Sequence, residues 1–145
     1  MASRTDSAVE YFAGGFNCAQ SMAIAFCDKY AADRETMARM TCGLGGGMRS
    51  GEVCGAISGA VLVIGLASGQ ARMEDRAAKK NCYAKTSEFM GRLKAGNQPL
   101  TCRQILGCDI SNREGHERAI KAGLFKTKCV DMVRKIGGLL EELGY

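Results

Sequence analysis

Apolar positions recur at helical spacing over most of the chain, and the strict alternation of a half-buried strand is scarce. Ser7 with Glu10 has the form of a capping box and predicts a short helix from Ala8 to Ala13, stopped by Gly14-Gly15. Asn17 with Gln20 predicts a second helix from Cys18 to about Tyr30, and residues Asp33 to Thr41 read as a third. Residues 43 to 51, Gly-Leu-Gly-Gly-Gly-Met-Arg-Ser-Gly, form a glycine-rich loop. An apolar helix follows from Glu52 to about Ser68, with a buried strand as the competing reading for Val61 to Leu66. Gly51, Gly55 and Gly59 recur every fourth residue, placing bare backbone on one face that another backbone or a bulky prosthetic group can approach. Met73 to Ala95 is the longest periodic segment, with Cys82, Thr86, Phe89 and Leu93 on one face. Thr101 with Gln104 opens a short helix ending at Gly107, and residues 109 to 115 read as a polar loop. Thr127 is the expected cap of a last helix striped by Cys129, Met132, Val133, Ile136, Leu140 and Leu143. The prediction is an all-α, single-domain helical bundle over residues 1–145, with one glycine-rich loop.

Composition agrees with this architecture. A chain of 145 residues builds one core, and a single proline suits long helices. Hydrophobic residues at 46% and charged residues at 24% are an ordinary globular balance, so disorder is not the expected state. The net charge of +5 is scattered, Trp is absent, and no basic stripe interleaves with aromatics, which argues against a nucleic-acid groove. The polar N-terminal segment lacks the apolar run of a signal peptide. The apolar stretch from Gly55 to Gly69 is short for a membrane span and is interrupted by Gly59 and Gly65. The expected setting is cytoplasmic, without membrane insertion. There, eight cysteines point to metal binding or redox chemistry, because ordinary thiols are kept reduced.

No two cysteines stand as C-x-x-C, so ferredoxin, zinc-knuckle and thioredoxin patterns are absent, and any site must be assembled by tertiary folding. The predicted helix starts sort the eight. Cys18 follows Asn17, Cys102 follows Thr101, Cys129 follows Thr127 by two residues, and Cys54 follows Ser50-Gly51. All four fall in an opening turn, where unpaired N–H groups and the helix dipole favour a thiolate, the form that binds metal. Cys27 lies about 180° round the helix from Cys18. Cys27, Cys42, Cys82 and Cys108 read as small packing residues.

These elements resemble a bacterial and archaeal family described as redox-active and named for its cysteine pattern, C_GCAxxG_C_C. The matching segments are Phe16-Asn17-Cys18-Ala19-Gln20, Gly51-Glu52-Val53-Cys54-Gly55-Ala56-Ile57-Ser58-Gly59, Cys102-Arg103-Gln104-Ile105-Leu106-Gly107, and Cys129 with the helix after it. The resemblance selects Cys18, Cys54, Cys102 and Cys129 and leaves the other four outside. The family looks related to the non-haem domain of split-Soret cytochromes, which is helical, dimeric and associated with an iron–sulfur centre. The resemblance thus implies an iron–sulfur cluster on four cysteines, [2Fe–2S] ahead of [4Fe–4S], in a homodimer serving an unidentified redox partner protein. Haem is not implied, since no C-x-x-C-H site is present.

The expected function is electron transfer or redox sensing, with Gly55 and Gly59 giving the cluster room. Thiol–disulfide chemistry among the same cysteines and a structural zinc site are the alternatives. Gly46 to Gly51 has the glycine spacing of a phosphate-binding loop, but Glu52-Val53 stands where Lys and Ser/Thr are required. His116, the sole histidine, reads as a solvated loop residue among Arg113, Glu114, Glu117 and Arg118. No hydrolase or transferase constellation is legible.

Overall fold

Side-chain caps set most of the helix starts. In a computed structural model that describes residues 3–145, α1 (Arg4–Ala13) is opened by a reciprocal box of Ser3 and Asp6. This is one turn earlier than the expected Ser7 cap. Starting at Arg4 lets Thr5 and Ala8 face the core, and the Thr5 N–H donates to Glu141 at 2.8 Å. Helix α2 (Cys18–Phe26) has the expected Asn17/Gln20 box and tightens into a 3₁₀ turn over Cys27–Tyr30. Helix α3 (Arg34–Thr41) is capped by Asp33. The glycine-rich segment holds a 3₁₀ turn (Cys42–Leu44) and a wide turn over Gly47–Gly51.

Helix α4 (Gly55–Ser68) begins three residues later than predicted, because Glu52 to Cys54 pair with a second extended segment. The helical reading of Val61 to Leu66 is the observed one. Helix α5 (Arg76–Ala95) starts where Asp75 accepts from the Ala78 N–H at 3.0 Å, so residues 73–75 lie outside it. Helix α6 (Cys102–Leu106) carries the Thr101/Gln104 box. The expected polar loop ends early, since Asn112 accepts from the Gly115 N–H at 2.7 Å and starts α7 (Arg113–Lys121). Helix α8 (Leu124–Glu142) begins after Gly123. Thr127 is inside it and donates its hydroxyl back to the Gly123 carbonyl at 3.0 Å, so Thr127 is not a cap. Among the described residues there are eight α-helices and no strand, only an isolated antiparallel bridge.

Helix α2 is apolar nearly all round, and every residue but Gln20 is buried. It sits at the centre, between α1, α3 and α4; α8 closes the other side against α1 and α4, and α5 lies along α4. Phe26, Met22, Ile57, Ile64, Phe89, Ile136 and Leu140 form one continuous core. Among the described residues no helix is long and apolar enough to cross a membrane.

Contact between α2 and α4 depends on two glycines. A Cβ on Gly59 would come 2.7 Å from the Ala19 carbonyl oxygen and 3.0 Å from Met22 Cβ. One on Gly55 would come 2.5 Å from the Cys18 sulfur and 3.0 Å from the Ala19 nitrogen. Gly59 therefore makes room for α2, while Gly55 makes room for a thiol.

Gly59→Ala should destabilise the protein by about 1–3 kcal/mol, because backbone cannot yield as a side chain would. Gly65→Ala, where an added Cβ meets nothing within 4 Å, should stabilise by about 0.5–1 kcal/mol. Urea denaturation midpoints of the two variants should move in opposite directions.

Candidate functional site

Three of the cysteines begin at helix starts: Cys18 and Cys102 are the first residues of α2 and α6, and Cys54 is the cap residue of α4. Two backbone hydrogen bonds join the second and third. Val53 and Thr101 form the antiparallel bridge, with the Cys54 N–H donating to Leu100 O and the Cys102 N–H donating to Glu52 O, both at 2.8 Å. Side-chain alternation then puts Cys54 and Cys102 on one face of the bridge. Arg103 fastens the same junction, reaching Ser50 O at 2.8 Å and Glu52 at 3.1 Å. Cys18 is set by the Asn17 box, and the Asn17 side chain also donates to Cys42 O at 2.8 Å, tying α2 to the glycine-rich loop.

Cys129 departs from the expected placement. Because α8 starts at Leu124, Cys129 lies in its second turn, where its own N–H is already inside the helix. It reaches the site from the side of the helix. All four cysteines nevertheless line one cavity of about 140 Å³, walled by Phe12, Ile105, Leu106, Ile110, Phe125 and Met132. Asn17, Gly46, Arg49 and His116 complete the lining. His116 is thus not a solvated loop residue. It belongs to α7, is half-buried, and rests against Phe125 with ring centroids 5.3 Å apart.

The glycine-rich loop closes the cavity with backbone of unusual hand. Gly46 is left-handed at φ 66°, and Met48 (φ 58°, ψ 38°) and Arg49 (φ 58°, ψ 20°) follow it into that region. Each side-chain-bearing residue held there costs about 1–2 kcal/mol, and such strain collects at functional sites. The Glu52 N–H donates to Gly47 O at 3.2 Å and the Ser50 hydroxyl to Met48 O at 3.0 Å, holding the turn.

Ionisation of the four thiols is coupled. Hydrogen bonding with the Cys54 thiol, then burial, raises Cys18 well above the ordinary thiol value. Cys54 is pushed up to about 12, first by the Cys102 thiol; the Cys18 thiol opposes this and burial adds to it. Cys129 is also pushed up to about 12, by burial and then by the charge of Cys18. Cys102 alone is lowered, by the Cys54 thiol. Backbone N–H groups favour the thiolates at three places: Gly46 and Ala19 at Cys18, Ala56 at Cys54, and Gly55 at Cys102. The start of α4 therefore serves two sulfurs. Among the described residues no three His, Cys, Asp or Glu groups are drawn together tightly enough to hold a metal ion.

The remaining cysteines lie elsewhere. Cys27 is in the core, where its thiol donates to Ile24 O at 3.5 Å, and Cys108 donates to Gly115 O at 3.6 Å. Cys42 is exposed beyond α3, and Cys82 is half-buried on α5. None of them lines the cavity.

A helical protein with four thiols around one cavity, carried by segments far apart in sequence, defines a class: a cysteine-rich domain assembled by tertiary folding. The sequence profile of the family described as "Putative redox-active protein (C_GCAxxG_C_C)" matches residues 16–143, and the chain belongs to that family. No curated protein and no solved structure matches it.

The metal-free, reduced protein should lose stability as pH rises from 9 to 12. Cys54 and Cys129 have folded-state values raised to about 12 from 9.0, so their contribution is complete below the unfolded value and vanishes as pH climbs through the folded one. Cys102 is shifted the other way and gains across its own range. Melting temperatures should fall across this window, and Cys129→Ala should flatten the fall relative to its own value at pH 8.

Proposed function

We propose that Cys18, Cys54, Cys102 and Cys129 hold an iron–sulfur cluster, and that the protein transfers single electrons or senses redox state. The observation that carries this reading is four cysteines lining one largely apolar cavity of about 140 Å³. Zinc and iron–sulfur clusters both take four cysteine thiolates, and the space beside these thiols favours the bulkier group. A void several times the volume of a water, roughly 30 Å³, suits a group of several atoms. Iron–sulfur clusters take four cysteine thiolates in the common case. The choice of [2Fe–2S] over [4Fe–4S] rests on the resemblance to the split-Soret domain alone.

When bound, the cluster supplies a reversible one-electron couple. The chain supplies the rest. Phe12, Ile110, Phe125 and Met132 exclude water, and the amides of Gly46, Ala19, Ala56 and Gly55 stabilise sulfur charge. Hydrogen bonding with neighbouring thiols at Cys18 and Cys54, and burial at these two and at Cys129, oppose ionisation, so positive charge brought by a bound metal would favour the thiolates. Gly55 leaves space beside the Cys18 sulfur, whereas Gly59 is taken up by α2.

One observation favours a second reading. Cys102 is lowered by its neighbour Cys54 across the backbone bridge, the arrangement of an attacking thiol and a resolving one. In that case the two thiols become a disulfide and release two electrons and two protons to an oxidant.

Protein purified anaerobically and reconstituted with iron and sulfide should contain both in equal amounts and absorb in the visible. Single Cys→Ser changes at 18, 54, 102 or 129 should abolish the colour, and the same change at 27, 42, 82 or 108 should leave it. Zinc without sulfide, or a Cys54–Cys102 bridge in metal-free protein with no iron uptake, would overturn the cluster reading.

A further inference from the structure

We propose that Arg49 is the counter-charge of the four-cysteine centre, a positioning residue that favours negative charge on its sulfurs. Arg49 lines the same cavity as Cys18, Cys54, Cys102 and Cys129. Its guanidinium lies over Gly46, where an added Cβ would come 2.8 Å from Nη1. The nearby Arg103 is engaged with Glu52 at 3.1 Å and Ser50 O at 2.8 Å. Arg49, by contrast, pairs with no carboxylate among the described residues. Arg49 is exposed at the rim of the cysteine-lined cavity, in a left-handed backbone conformation and without an acidic partner among the described residues, so its charge is free to act on an anionic centre there.

The effect on charged reagents approaching the thiols does not depend on the cluster reading. The effect on a reduction potential rests on the cluster reading. A cation beside an anionic centre stabilises its reduced, more negative form and raises the potential.

Two measurements test the assignment. In reduced, metal-free protein, the alkylation rates of the four thiols by iodoacetate and by neutral iodoacetamide are compared by mass mapping. Arg49→Gln should lower the iodoacetate-to-iodoacetamide ratio roughly two- to fivefold, the size of one screened charge at short range. Arg49→Lys should keep the wild-type ratio, and 1 M salt should erase the difference between wild type and Arg49→Gln, since its screening length is about 3 Å. In reconstituted protein, Arg49→Gln should lower the midpoint potential at equal iron content, with Arg49→Lys restoring most of it. An unchanged reagent ratio, or an unchanged potential at equal iron content, would sink the role of Arg49. If neither protein takes up iron, the cluster reading falls and the reagent ratio alone decides Arg49.

Discussion

Helix α4 approaches α2 so closely that a single methyl group at Gly59 would strike the Ala19 backbone. That approach fixes the rest of the site. It brings the start of α4 beside the start of α2, so Cys18 comes to rest in the space left by the missing side chain of Gly55. The same start, through Glu52 and Cys54, is hydrogen-bonded to Leu100 and Cys102. Three of the four thiols are thus located by the first residues of one helix. Only Cys129 comes from an independent element, and α8 is held against α1 and α4 by the core around Ile136 and Leu140.

Electrostatics gives this packing its chemical meaning. An apolar cavity penalises charge, and four thiols crowded into it penalise one another. Cys18, Cys54 and Cys129 are shifted toward the neutral thiol, while Cys102 is shifted toward the thiolate. Helix-start amides recover part of the cost at Cys18, Cys54 and Cys102, but Cys129 has no such donor to draw on. Positive charge near the sulfurs would favour the thiolate form of Cys18, Cys54 and Cys129. Four cysteines and an open space lie together there, and Arg49 is the one cationic side chain among the described residues that lines it.

Much of this was legible in the sequence because caps are local. Asn17 with Gln20 and Thr101 with Gln104 bond within four residues of themselves, so two cysteines could be placed at helix starts without knowing the fold. The glycine spacing at 55 and 59 likewise announced a close approach, although which partner used each glycine depended on α2. Cys54 was harder. Its segment is held extended by residues almost fifty positions later, and no local pattern encodes an isolated bridge. Thr127 misled for a related reason: a threonine bonding back to the carbonyl four residues earlier looks, in sequence, like a cap. His116 was read as solvated because its neighbours are charged. One face of α7 turns inward nonetheless, and Gly115 and Ala119 are buried on it.

The glycine-rich loop is the place where local rules are broken outright. A run such as Gly46-Gly-Met-Arg-Ser-Gly51 invites comparison with a phosphate cradle, yet its backbone does something different. It turns with left-handed residues that extend past the glycines into Met48 and Arg49. Glycine at 48 or 49 would relieve the strain, so the side chains there are kept at a cost in stability. Met48 is exposed, and its side chain explains nothing in the core. Arg49 is also exposed but lines the thiol cavity, so the left-handed turn brings a charged residue to its edge. Strain retained at a residue lining the thiol cavity is best understood as serving the cavity.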